Sequence, residues 1–278
     1  MCPDLVCVGE VLLDVTMPPL IQGAVIHAPI EVRAGGVAVN AALAAAQGGA
    51  RACVVGRVGR DSAAAAIRDA LRRSGVEAHL AEDPLLATGT FVESGSAVAA
   101  DRGASAALAP GDIPAPLIAG AILVSGHALL HDDTAAAARA AIERARADHV
   151  GVVVASATLA ARLGRAEFDA RARGASVLVA NAAEAHALTG LDPAAAASEL
   201  ALTYSFACVT DGADGVFGAW TSSAAPGLIH VGVEHVEGRT TGAGDALAGV
   251  LLISLHAGMP PAQALDTACN AARDLVRS

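Results

Sequence analysis

The chain contains no lysine; all 18 of its basic residues are arginine. That absence excludes the lysine-bearing phosphate loop G-x-x-x-x-G-K-[ST], the strand lysine of protein kinases and any Schiff-base mechanism. Nucleotide phosphates, if bound, must be held by backbone amides, arginine and metal. Aromatic residues make up only 2%, so stacking is not the main grip on a base or a sugar ring. A net charge of −10 and a pI near 5.3 argue against nucleic acid as a partner, since that binding needs a dense cationic surface. Five cysteines, Cys2, Cys7, Cys53, Cys208 and Cys269, are odd in number and form no C-x-x-C pair. They read as reduced thiols of a cytoplasmic protein. No signal peptide is expected, because Asp4 and Glu10 interrupt the opening segment. Mean hydropathy is +0.51, yet the longest uncharged stretches, 113–130 and 246–265, are broken by proline and glycine. Neither offers the unbroken run of about 20 apolar residues that a membrane span needs, so no membrane partner is expected.

What is present is an alanine- and valine-rich chain, 54% hydrophobic over 278 residues, enough for one α/β domain with a sizeable core. Apolar runs predict buried strands at 5–9, 52–58, 121–125, 150–155, 176–180 and 206–210. Helices are predicted over 37–47, 62–74, 134–147, 184–189 and 193–201, several ended by glycine. This alternation indicates a mostly parallel sheet with helices on both faces. Two segments, about 12–34 and 88–101, read as strands without helices, with short exposed strands over 21–32. They are expected to pair as a small β lid on a single domain spanning 1–278.

The most informative stretch is Thr240-Thr241-Gly242-Ala243-Gly244-Asp245, followed by an apolar helical run. Glycines let a ligand approach the backbone, and the helix beginning there aims free N–H groups and its positive dipole end at an anion. Asp245 falls in that first turn, where a carboxylate can take a proton from a hydroxyl beside a phosphate. It could equally be a helix-start residue, where Asp is favoured anyway. Other polar residues follow predicted strands, where ligands of open α/β sheets bind. These are Asp14, Gly35-Gly36 with Asn40, His127, Asn181 with Glu184, and Thr210 with Gly212. Each alone fits a cap or turn; their coincidence at one edge favours a site. His127 and Arg102 are candidate acceptor contacts that could also be solvated side chains. His131, Asp132 and Asp133 are consecutive and read as a helix start rather than a metal cluster.

Gly35-Gly36-Val37-Ala38-Val39-Asn40 and Thr240–Asp245 resemble the N- and C-terminal signatures of the ribokinase-like (PfkB) carbohydrate kinases. Val55–Asp61, Asn181–Glu184 and Thr210–Gly215 fall between them in that family's order. The resemblance covers nearly the whole chain and implies a three-layer αβα ribokinase-like fold with a small β lid. It implies an ATP-dependent kinase that transfers the γ-phosphoryl group to a hydroxymethyl group of a small sugar or sugar derivative. Alternatives are a nucleoside kinase of the same fold, or a catalytically weak sugar- or nucleotide-binding sensor. In the implied assignment Asp245 is the catalytic base, and Gly242, Ala243 and Gly244 form the anion hole. Asp14, Gly35, Gly36 and Asn40 hold the acceptor, with His127 and Arg102 as the additional candidates. Asn181 and Glu184 organise Mg²⁺ through water and, with Thr210, Gly212, Gly215, Thr241 and Asn270, line the nucleotide phosphates. The lid is also expected to pair protomers into a homodimer.

The chain departs from the family pattern at three points. Arg239 stands where most members carry an acid; a guanidinium there would repel potassium, so potassium is not expected as a cofactor. Asp211 places a negative charge near the phosphates. The chain reaches only Ser278, shortly after the helix containing Asn270, so the nucleotide-side wall is expected to be built differently.

Overall fold

Apolar runs buried on both faces become the parallel strands of one large sheet, as strands sandwiched between helices must. The computed structural model describes residues 2–221, 225–233 and 241–277. The first half contains β1 (Leu5–Val8), β2 (Leu12–Met17), β3 (Glu31–Gly35), α1 (Val37–Gln47), β4 (Ala52–Gly59), α2 (Ser62–Arg73), β5 (Glu77–Asp83), β6 (Thr88–Ser94) and β7 (Ala97–Gly103). Next come β8 (Leu117–Ile118), β9 (Ala121–Ser125), α3 (Gly126–Leu130), α4 (Ala135–Arg144), β10 (Ala145–Arg146), β11 (His149–Val153), α5 (Ala157–Leu163) and α6 (Arg165–Arg171). The remainder is β12 (Val177–Asn181), α7 (Ala182–Thr189), α8 (Pro193–Tyr204), β13 (Phe206–Thr210), β14 (Val216–Trp220), β15 (Gly227–Val231), α9 (Ala243–His256) and α10 (Pro261–Arg277).

The main sheet runs β15-β14-β13-β12-β11-β9-β1-β4-β5. All neighbours are parallel except the antiparallel pairs β13–β14 and β14–β15. Strand alternation divides the core in two. Leu5, Cys7, Val54 and Leu123 pack under α1, α2, α9 and α10. Val6, Val8, Val55, Ile122 and Val124 pack under α4, α7 and α8. The result is helix, sheet, helix: a three-layer αβα fold. From β1 the chain first winds outward through β4 and β5, then returns to β9 on the other side and winds away to β13. That reversal between β1 and β9 opens a crevice at the strands' carboxyl ends, the place where such sheets hold ligands.

A second sheet, ordered β3-β2-β6-β7, faces this crevice. It is attached through Leu13 and Ala34 against the core and through a polar anchor. Asp61 caps α2 by accepting from the Ala64 amide at 2.8 Å. The same carboxylate accepts from the Thr88 amide and hydroxyl at 2.7 Å each, fixing the start of β6. Burial pushes the Asp61 carboxyl up, but these donors outweigh it and hold the group below the usual carboxylate range.

Several expectations need correction. Residues 18–30 form no strand, and β3 is confined to Glu31–Gly35. Pro18, Pro19 and Pro29 remove ladder donors, and a turn sits at Gln22-Gly23. α4 ends at Arg144 rather than at 147, because Ala145–Arg146 pairs with β8. β5 lies outside the expected strands, because its charged residues Glu77, Glu82 and Asp83 mask its alternation. Such charge suits an edge strand. Helices α5 and α6 and the antiparallel strands β14 and β15 also went unassigned.

Candidate active site

Between the two sheets lies a cavity of about 420 Å³. Its walls come from five places: the end of β1 (Glu10), the second sheet (Leu12, Asp14, Phe91), α1 (Gly36, Asn40), the ends of β9 to β13 (among them His127, Asn181, Glu184, Thr210), and the start of α9 (Thr241, Gly244, Asp245). Residues far apart in the sequence meet here because most follow a strand of the main sheet or lie in the first turns of a helix, while Leu12, Asp14 and Phe91 come from the strands of the second sheet.

Asp245 sits in the first turn of α9, where the dipole favours a carboxylate. The Asn40 Nδ2 amide donates to its Oδ2 at 3.0 Å. Burial pushes the Asp245 carboxyl up to about 7, opposed by the Asn40 hydrogen bond and reinforced by the charges of Asp14, Glu10 and Glu184. A carboxylate titrating there is poised to accept a proton near neutral pH. Gly242 caps α9 at φ 86°, and a Cβ on it would sit 3.1 Å from Asn40 Nδ2, so glycine is needed both for the turn and for the approach. Two residues on, Gly244 is exposed, and a Cβ there would meet nothing within 4 Å, which leaves room for a phosphoryl-sized group over the helix start. Ala243 is the first residue of the helix itself.

Around this pair the cavity is strongly acidic. Asp14 on β2 is buried and pairs in register with Arg33 and Phe91. Gly35 packs against its carboxyl group, and Gly36, at φ 93°, opens α1 against the Glu10 carbonyl. Glu184 and Asn181 form a reciprocal capping box at the start of α7: the Asn181 amide donates to Glu184 Oε2, and the Glu184 amide to Asn181 Oδ1, both at 2.9 Å. Burial nevertheless raises the Glu184 carboxyl above its ordinary value, against hydrogen bonds from the Asn181 and Ala155 amides. Carboxylate oxygens are the hard donors that suit Mg²⁺, so this acidic wall fits that ion.

The structure separates some residues that the sequence grouped. Asn40, assigned to the acceptor, also orients Asp245. Arg102 does not line the cavity. Its guanidinium donates to both oxygens of Asp133 at 3.0 and 2.9 Å and to Thr134 Oγ1 at 3.0 Å. Asp132 pairs with Arg171 at 2.7 Å. His127 does line the cavity, with its ring 6.1 Å from that of His131. Gly212 lies in a short turn after Thr210, and Gly215 turns into β14. Neither lines the cavity, nor does Asn270, which is exposed on α10. Arg239 and Thr240 fall outside the described residues.

Other site residues went unread in the sequence. Glu10 is 4% exposed and accepts a hydrogen bond from Ser125 Oγ; its only signal was an acid directly after a buried strand. Ala155 holds φ 69°, uncommon for alanine, at the cavity wall where its amide serves Glu184. Glu93 on β6 accepts from Thr241 Oγ1 at 2.8 Å, linking the second sheet to the loop before α9.

A glycine-capped helix start with a half-buried acid, facing an acidic crevice at the switch point of a doubly wound sheet, defines the ribokinase-like class of α/β proteins. The pattern of that family of kinases matches residues 3–278: the chain belongs to the pfkB family of carbohydrate kinases and is thereby a phosphotransferase. Solved structures share the fold at low identity. An adenosine kinase from Sinorhizobium meliloti is 20% identical with a TM-score of 0.82, covering 100% of this chain and 95% of its own. An aminoimidazole riboside kinase from Salmonella enterica is 23% identical with a TM-score of 0.78, over 98% and 93%. An E. coli protein assigned as ribokinase II, in complex with ATP and Mg²⁺, is 16% identical with a TM-score of 0.85, over 99% and 93%. No curated protein matches the chain. Among the described residues, no helix is long and apolar enough to cross a membrane.

Proposed function

We propose that the protein transfers the γ-phosphoryl group of ATP to a hydroxymethyl group of a small sugar or sugar derivative. One observation carries the reading: Asp245, fixed by Asn40 and titrating near neutrality, stands beside the open Gly244 backbone. Asp245 takes the proton of the acceptor hydroxyl as its oxygen forms the new bond to phosphorus and the bond to the diphosphate breaks. Amides of the turn at Gly242, Ala243 and Gly244 carry the charge spread over the transferred group's oxygens. Asp14, Gly36 and Asn40 orient the acceptor, whose hydroxyls match carboxylate and amide partners. Glu184, backed by Asn181, would hold Mg²⁺ through water, supplying charge neutralisation at the phosphates. Thr210 and the turn at Gly212 lie on the nucleotide side, with Gly215 and Asn270 farther out. The four-stranded sheet acts as a lid that excludes water and so suppresses ATP hydrolysis.

The test is transfer from Mg-ATP to a panel of pentoses, hexoses, sugar acids, sugar phosphates and nucleosides, run beside Asp245→Asn. Product from the parent alone, with one acceptor preferred, supports the reading. Ligand-induced thermal stabilisation with no product from any acceptor would replace it with a sensor. A nucleoside acceptor is favoured by one feature, the Phe91 ring on the cavity wall, and preference for a nucleoside in the panel would select it. Arg239 supports activity without potassium. Several-fold stimulation by potassium chloride, over an equal concentration of a large organic cation, would sink that part. Val32 and Val98, exposed on the second sheet, support pairing of protomers there, and sedimentation showing only monomer at working concentration would remove it.

A further inference from the structure

On the opposite edge of the main sheet from the cavity, at the amino ends of β4 and β5, a second group of chemically active side chains converges. The parallel register sets Cys53 beside Glu77 and Val55 beside His79. Because strand side chains alternate, Glu77 and His79 share one face of β5, next to Cys53 on β4. The thiol sulfur, a carboxylate oxygen and an imidazole nitrogen all lie within 4.8 Å of one another.

We propose that Cys53, Glu77 and His79 form a binding site for a divalent transition-metal ion of the zinc class. The donor set is the first argument. Thiolate, imidazole and carboxylate together are borderline-soft ligands that suit zinc and disfavour Mg²⁺ or Ca²⁺. Spacing is the second. Tetrahedral ligation at about 2.0–2.3 Å brings ligand atoms within roughly 4 Å of each other. Glu77 and His79 are exposed and free to rotate, whereas Cys53 is buried and fixed. Small side-chain rotations therefore suffice, and the exposed side leaves the fourth position to water. Charge is the third. Arg51, the neighbouring cation, hydrogen-bonds Asp4, with Nε donating to Oδ2 at 3.2 Å, so its guanidinium does not occupy the space between the three donors.

Binding displaces the thiol proton to solvent, because the thiolate is the ligand. Because binding releases that proton, affinity should rise with pH. The bound ion would tie edge strand β5 to β4 and stabilise the native fold by linkage.

The experiment titrates the full chain with Co²⁺ and with Zn²⁺ alone, in a Cys2→Ser background that removes the exposed thiol. One equivalent of Co²⁺ should give a thiolate-to-metal charge-transfer band, lost in Cys53→Ser. His79→Ala changes only an exposed side chain and should fold. It should weaken Zn²⁺ binding by more than about tenfold, the loss that even an outer-shell partner causes, and abolish the rise in Tm that Zn²⁺ gives the parent. A band that survives Cys53→Ser, or Zn²⁺ stabilisation unchanged in His79→Ala, overturns the proposal. So does the absence of any band in the Cys2→Ser protein.

Discussion

The two ends of the cavity, assigned in our proposal to the acceptor and to the nucleotide, are built by opposite means. At the acceptor end, polar side chains are locked to one another: Asn40 to Asp245 and Ser125 to Glu10. At the nucleotide end Thr210 reaches the cavity, while a Cβ on Gly212 would meet nothing within 4 Å and Asn270 is exposed. Preorganised side chains are what a proton transfer needs, since the base must be aimed before the reaction begins. A phosphate chain can be held by backbone amides, which any sequence with the right turns supplies. In a chain without lysine, such amides share the task only with arginine and metal.

The contrast breaks most sharply at Asp245. Asp245→Asn should lower turnover by roughly 10²–10⁴-fold, the share general-base catalysis supplies, while binding of Mg-ATP changes little. It should also stabilise the fold, in a pH-dependent way. The folded carboxyl titrates near 7 and the unfolded one near its ordinary value. Between those points the native state holds the extra proton, so native stability falls as pH rises towards 7. Asparagine removes that penalty: its melting temperature should exceed the parent's at pH 8 and converge with it near pH 4. Equal melting temperatures at pH 8 would show that Asp245 is not a strained base.

Asn40→Ala tests the orienting bond and should have the next largest effect. A hydrogen bond to a charged group contributes about 1.5–3 kcal/mol. Its loss favours the protonated acid, so the acid limb of the kcat profile should move up by about one pH unit or more. Activity at pH 7 should drop and partly return at higher pH, whereas Asp245→Asn should not recover at any pH. A uniform drop with an unmoved limb would return Asn40 to acceptor binding alone.

How much of this was legible follows the same division. The parallel strands were readable because burial on both faces leaves unbroken apolar runs, and the start of α9 was readable because Gly242 and Gly244 have few other uses beside an aspartate. Pairings were not. Asn40 and Asp245 are 205 residues apart, and only the packing of α1 against α9 brings them together. Glu10 was hidden because one acid after a strand looks like any turn residue. Arg102 was misplaced for the reverse reason: an arginine near a lid has a plausible anion to seek, but Asp133 is nearer. β5 was missed because an edge strand's charges mimic a loop.

The smallest expected effect lies where the two ends meet, at Thr241. Its hydroxyl donates to Glu93 across the second sheet, so the bond is made when that sheet covers the cavity. Thr241→Val keeps the β-branched shape and loses only this donor. A neutral donor to a carboxylate at a half-buried site should cost a few-fold, about 1 kcal/mol. If the sheet acts as a lid, the loss should fall on the acceptor KM and on the ratio of ATP hydrolysis to transfer, because an unlatched lid admits water. If Thr241 instead serves the phosphates directly, KM for ATP should rise while that ratio stays fixed. Glu93→Gln separates the two outcomes further, since it touches the sheet side of the bond and leaves the loop before α9 unchanged.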